Sequence, residues 1–219
     1  MTGNGAIDRR LKAGQPQPLK PSRWPRTERR QDRIEAALRR RQDTLSLVLE
    51  DVHDVHNVSA VLRSCDAVGV LRVHLVYVEE TPPAKSFART SSASASKWIE
   101  IVRHDSIEEC YSRLRADGQR ILVTALEPNS VDLYDTDLAA PVALVFGNEM
   151  RGVSDAAMTG ADGLLFLPMM GMIQSLNISV ACAITLYEAL RQRRAAGLYD
   201  RPMASDEVLS AMRDDWLKR

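Results

Sequence analysis

Residues 142–190 carry the decisive pattern: VALVFGNEMRGVS at Val142–Ser154, then LLFLPMMGMIQSLNISVACAITLYEAL at Leu164–Leu190. The apolar run Val142–Phe146 stops on Gly147, Asn148 and Glu149. A second run, Leu164–Leu167, stops on Pro168 and Gly171, and Ser175 opens a helical pattern that continues to Arg194. Two short apolar runs of this kind read as buried strands. Each ends in a glycine-containing polar loop, and the second loop feeds a helix N-terminus. Such a place lets backbone N–H and C=O groups face a ligand, with glycine allowing close approach. Glu149, Ser175 and Asn177 are the side chains available to orient that ligand.

Working outward, strand and helix patterns alternate. Leu45–Leu49 reads as a strand, Val58–Val68 as a helix, Val73–Val78 and Trp98–Val102 as strands. Ser106–Arg115 is helical, Ile121–Ala125 is a strand, and Asp206–Leu217 is a last amphipathic helix. Alternation of this kind predicts an α/β fold, a mostly parallel sheet with helices on both faces. Residues 1–26 form a basic, Gly- and Pro-punctuated arm, and Thr27 is placed to cap a helix within 27–42. The main domain is expected over 43–196, with a helical extension over 197–219. The small-residue segment Ser91–Ser96 reads as a loop, flexible or open to a partner.

The charge distribution is lopsided although the net charge is zero. Residues 1–41 hold twelve Lys/Arg against four Asp/Glu, a net +8, so residues 42–219 sum to −8. A basic arm on an acidic body suits a polyanionic partner, or is a solvated leader without a role. No stretch is apolar enough for a membrane helix, and no apolar signal-peptide core is present. Cys65, Cys110 and Cys182 are odd in number and scattered, which argues against disulfide and zinc frameworks and for a cytoplasmic location. His53 and His56 lie three apart without a third ligand at suitable spacing, so no metal is expected.

Three ordered motifs give a more specific reading. The first is Asn57-Val58-Ser59-Ala60-Val61-Leu62-Arg63-Ser64-Cys65-Asp66-Ala67-x-Gly69. The second is Phe146-Gly147-Asn148-Glu149-x-x-Gly152, and the third runs from Leu167-Pro168-Met169 through Ser175-Leu176-Asn177-x-Ser179-x-Ala181. Over about Asp43–Arg194 the chain resembles the SpoU (SPOUT-class) RNA 2′-O-ribose methyltransferases. The context Glu50–Val70 is closest to the branch acting on guanosine 18 of tRNA.

The resemblance implies a deep C-terminal trefoil knot over about 120–190, a homodimer whose helices pack across the active site, and S-adenosylmethionine as cofactor. By motif, the cofactor would meet backbone groups at Leu126, Gly147, Leu167 and Leu176. The implied catalytic set is Arg63, Asn57, Glu149, Ser175 and Asn177. Without the motif, Arg63 reads as a helix-surface residue pairing with Asp66 at i+3, and Asn57 as a helix cap. A guanidinium stays charged at neutral pH and is a poor base, so Arg63 is expected to hold the phosphate beside the target ribose and stabilise the developing alkoxide. The proton acceptor stays open. Expected tRNA contacts are Arg33, Arg41, His56, Arg191, Arg193 and Arg201. The target could also be another tRNA position or ribosomal RNA, and a noncatalytic RNA-binding protein of the same fold is the alternative in kind.

Overall fold

The computed structural model of the protein describes residues 26–78 and 95–218. The expectations for the arm before Arg26 and for most of the small-residue loop lie outside those residues. In chain order the elements are α1 (Arg26–Leu38), β1 (Gln42–Glu50), α2 (Val55–Val68), β2 (Val70–Val76), a 3-10 turn at Ala95–Lys97, β3 (Glu100–His104) and α3 (Ile107–Ala116). There follow β4 (Arg120–Thr124), β5 (Val131–Asp132), β6 (Val142–Phe146), α4 (Asp155–Thr159), β7 (Gly163–Phe166), α5 (Ile178–Ala195) and α6 (Asp206–Lys218).

The seven strands form one sheet in the order β3-β2-β1-β6-β4-β7-β5, and every pair is parallel. The apolar runs are continuous because both faces are covered. Leu47 and Leu49 of β1, with Leu144 and Phe146 of β6, face Val58, Val61, Leu62 and Cys65 of α2 and Cys182, Leu186 and Ala189 of α5. Val48, Ala143 and Val145 point the other way, onto Ile107, Cys110 and Leu114 of α3 and Ala157 of α4. The period-2 alternation of a strand thus builds two cores.

Local chemistry sets the helix ends. Asp54 caps α2 by accepting from the His56 N–H at 2.7 Å, and Ser106 caps α3 through Glu109 N–H at 3.2 Å. Gly69 ends α2 at φ 88°, where a Cβ would lie 2.6 Å from the Arg40 carbonyl oxygen, so no other residue fits without movement. A third small core joins the two extensions: Ile34 and Leu38 of α1 meet Trp216 of α6, whose ring lies 5.0 Å from that of Trp98.

Several element ends differ from expectation: β1 starts at Gln42 rather than Leu45, β2 runs Val70–Val76 rather than Val73–Val78, and β3 runs Glu100–His104 rather than Trp98–Val102. Helix α2 starts at Val55 rather than Val58, and α5 starts at Ile178 rather than Ser175. The two-residue β5 and five-residue α4 were not anticipated, because such short elements show no period to read.

Candidate active site

Strands β6, β4 and β7 are neighbours, and their C-terminal ends open on one cleft of about 430 Å³. A crevice outside the carboxyl ends of a parallel sheet is where such folds bind ligands. Leu126 follows β4, Gly147 follows β6, Leu167 follows β7, and Leu176 precedes α5; all four line the cleft. Phe146, Met158, Leu165, Ile178 and Ala181 supply apolar walls, while Thr124, Glu127, Glu149, Gln174 and Ser175 supply polar ones.

At its lip three side chains from distant parts of the chain are hydrogen-bonded in series. Asn57 Nδ2, in the first turn of α2, donates to Glu149 Oε1 at 2.5 Å. Asn177 Nδ2 donates to Asn57 Oδ1 at 3.1 Å, while Asn177 Oδ1 caps α5 by accepting from the Ser179 N–H at 2.9 Å. Capping and site assembly are therefore one role for Asn177. For Asn57 the capping reading is replaced, since Asp54 is the cap and Asn57 spends its amide on Glu149 and Asn177. Glu149 holds Asn57, not Arg63.

The glycine requirement at 147 has a different cause from the expected one. A Cβ there would sit 2.2 Å from the Gly152 carbonyl carbon and oxygen and 2.4 Å from Val153 N. Asn148 and Gly152 exchange two backbone hydrogen bonds of 2.8 Å, which folds the loop back on Gly147. The close approach is made by the chain itself.

Arg63 stands apart. It is exposed, it does not line the cleft, and Asp66 pairs with Arg41 instead of with it. Six residues on from Asn57, it lies about 240° around and about 9 Å along the helix. Within the chain, the site gathers Asn57, Glu149, Ser175 and Asn177 but not Arg63.

Comparison with known proteins identifies this arrangement. Residues 44–187 match the model of the SpoU rRNA Methylase family. The chain belongs to that family. It is 46% identical over 194 residues to the tRNA (guanosine(18)-2′-O)-methyltransferase of Thermus thermophilus, covering 89% of this chain and 98% of that one. The solved A. aeolicus TrmH/SpoU tRNA modifying enzyme superposes with a TM-score of 0.77 at 35% identity, over 88% of this chain and 96% of that one. The SpoU methyltransferase AviRb from Streptomyces viridochromogenes, solved with the cofactor AdoMet, gives a TM-score of 0.60 at 31% identity, over 71% and 62%.

The expected RNA contacts of this SpoU chain divide. Arg33, His56, Arg191 and Arg201 are exposed, Arg191 in an ion pair with Glu188 at 2.7 Å. Two others are corrections. Arg41 is buried, donating to the Val70 carbonyl at 3.0 Å, pairing with Asp66 and lying 5.0 Å over the Trp216 ring. Arg193 is fully buried, and its guanidinium donates to the carbonyls of Leu138, Thr44 and Ala140 and to Gln42 Oε1 and Thr44 Oγ1, at 2.8–3.2 Å. Neither can reach a phosphate. Both sit among charged neighbours in sequence, and nothing there distinguishes a buried arginine from an exposed one.

Among the described residues one group has metal-ligand composition: His74, His104 and Cys110, all buried. His74 Nδ1 and His104 Nε2 are 2.9 Å apart, with ring centroids 5.2 Å apart and planes 16° apart. The nitrogens therefore meet head-on, as in a hydrogen bond, instead of converging on a common centre. Burial, then His104, lowers the pKa of His74 to about 4.

Proposed function

We propose that this protein transfers a methyl group from S-adenosylmethionine to the ribose 2′-OH of guanosine 18 in the D-loop of tRNA, acting as a homodimer in the cytoplasm. The observation that carries the reading is the cleft at the ends of β6, β4 and β7 with the Asn57–Glu149–Asn177 series at its lip. Its volume lies in the range of small-molecule sites, roughly 300–1,000 Å³. Apolar walls suit an adenine ring, and the loops after β4, β6 and β7 bring backbone polar groups to its edge, so the residues fit the cofactor. When bound, S-adenosylmethionine supplies an electrophilic methyl group.

The protein's own residues do the rest. Leu126, Gly147, Leu167 and Leu176 bind through their backbones, and Ser175 lines the cleft beside them. Glu149 and Asn177 fix the rotamer of Asn57, so the first turn of α2 is held against both cofactor loops. Arg63 grips the phosphate next to the target ribose and stabilises the developing alkoxide. Because it faces away from its own cleft, the Arg63 that serves a given site comes from the second copy.

Dimerisation is supported by the unpartnered apolar surface beside the site. Val180 and Tyr187 on α5 are 45% and 55% exposed, and Met170, Met172 and Ile173 on the preceding loop are 95%, 99% and 60% exposed. Membership of the SpoU family supports the knotted threading of about 120–190. The favoured tRNA contacts are Arg33, His56, Arg191 and Arg201, with the basic arm 1–26 adding non-specific attraction. No described helix is long and apolar enough to cross a membrane.

Calorimetric titration with S-adenosylmethionine, followed by mapping of the methylated nucleotide on unmodified tRNA, tests this reading. Cofactor binding with a single 2′-O-methyl mark at guanosine 18 is expected. A mark at another position, or on ribosomal RNA only, would overturn the assignment of substrate; no cofactor binding would overturn the enzyme.

A further inference from the structure

Where β1 ends, two adjacent acidic residues take hold of both ends of the loop that closes the cleft. Glu50, 3% exposed, accepts from the Ser154 N–H at 2.9 Å and from Ser154 Oγ at 2.6 Å. Ser154 in turn caps α4, accepting from the Ala157 N–H at 3.1 Å. Asp51 follows at φ 50°, the one non-glycine among the described residues in the left-handed region. That conformation turns its carbonyl onto Asn148 Nδ2 at 2.8 Å. Its side chain accepts from the Val78 N–H at 2.9 Å and lies 3.9 Å from the Arg151 guanidinium.

The two residues that follow Asp51, Val52 and His53, lead into Asp54 and α2, which carries Asn57. The loop it grips carries Glu149, the partner of Asn57. Asp51 thus fixes, from one backbone kink, the relation between the two halves of the hydrogen-bonded series. A left-handed aspartate costs energy, and such strain gathers where geometry must be held.

We propose that Glu50 and Asp51 are positioning residues for methyl transfer: they pin loop 148–154 against α2 and so set the shape of the cofactor cleft, touching neither cofactor nor ribose. The proposal rests on the methyltransferase reading, yet its first test does not need it. In the ligand-free full-length protein, amide hydrogen exchange is measured for the parent, Asp51→Val, Asp51→Asn and Glu50→Gln. Valine strongly disfavours the left-handed region, whereas asparagine tolerates it and keeps an acceptor for Val78. Glutamine presents an amide where Glu50 accepts from two Ser154 donors.

Asp51→Val and Glu50→Gln should speed exchange in 147–154 and the first turn of α2, leaving the β1–β6 ladder protected, and Asp51→Asn should restore parental exchange. Single-turnover methylation by the first two should fall on the order of tenfold to a hundredfold, as for a misplaced site, with tRNA affinity unchanged. Parental exchange in folded Asp51→Val and Glu50→Gln, or acceleration spread evenly over the sheet, would overturn the proposal. If Asp51→Val does not fold, Glu50→Gln against the parent decides in the same way. A parent that fails to bind S-adenosylmethionine would refute the function while leaving the exchange result to stand by itself.

Discussion

The two ends of α5 carry polar side chains put to opposite uses. At the N-terminal end Asn177 caps the helix and hands its amide to Asn57, on the lip of an open cleft. At the C-terminal end Arg193 is sealed from solvent and donates to five neutral acceptors in β1 and the segment before β6. All five hydrogen-bond acceptors are neutral; burial lowers the Arg193 pKa, Tyr199, Asp43 and Asp137 oppose that shift from nearby, and saturated hydrogen bonding makes the charge tolerable there. Exposure with spare bonding capacity marks the end beside the cleft, while burial with every donor used marks the anchored one.

The largest effect is expected at the residue this contrast leaves unplaced. Arg63→Ala should keep the fold and cofactor affinity but lower single-turnover methylation by on the order of a hundredfold to a thousandfold. Arg63→Lys should rescue poorly, since an ammonium cannot make the two-pronged grip on phosphate. Mixing Arg63→Ala with Asn177→Ala subunits should restore part of the activity if each site draws on both copies. No recovery in verified heterodimers would place Arg63 in its own protomer's site.

At the anchored end the loss should fall on stability. Arg193→Met strands the acceptors at Thr44, Leu138 and Ala140, at a cost on the order of 3 kcal/mol in denaturant unfolding. The tRNA affinity of the folded fraction should not change. A weakened tRNA complex at full stability would return Arg193 to the RNA surface.

A second sealed pair sharpens the contrast through pH. His74, buried against His104 and near Arg72, has its pKa lowered to about 4, whereas the unfolded side chain titrates near its ordinary value of 6.5. Between those values the unfolded state binds more protons, so stability falls as pH drops from 6.5 towards 4, by roughly 3 kcal/mol at most. Thermal melting across that window should show the decline, and His74→Phe should flatten it. An unaltered slope in the variant would assign the acid sensitivity to other groups.

Much of this architecture was legible because it is periodic or because its motifs are unusual. Val142–Phe146 was bounded to the residue, since a strand buried on both faces is one uninterrupted apolar run. Glu149 and Asn177 were grouped by the two strand-end loops, whereas Asn57, 92 and 120 residues from them in the paired contacts, joined them only through the motif resemblance. Spacing alone cannot show that they touch. The positioning role of Glu50 and Asp51 was not legible, because it depends on a left-handed backbone angle and on a loop a hundred residues away. Arg41 and Arg193 misled for the converse reason: charge is visible in a sequence, whereas burial of a charge is decided by packing.

The smallest predicted effect compares two arginines separated by a single residue. Arg191 has a 67% exposed side chain and pairs with Glu188, which raises its pKa; Arg193 is fully buried. Both lie on the last turns of α5, so the helix dipole favours a cation at either position and cannot separate them. Arg191→Gln should leave unfolding unchanged, because an exposed ion pair contributes little. It should lower the log–log salt slope of tRNA binding by roughly 0.7–0.9, the value of one phosphate contact. The pair with Glu188 holds the guanidinium at the surface instead of consuming it, since three of its five donors remain for a phosphate after the two bonds at 2.7 and 2.8 Å. Glu188→Gln should therefore leave the slope unchanged or steeper. A slope that flattens in Glu188→Gln as much as in Arg191→Gln would mean the carboxylate orients the arginine for RNA, and that the exposed end of this turn is as structured for its task as the buried one.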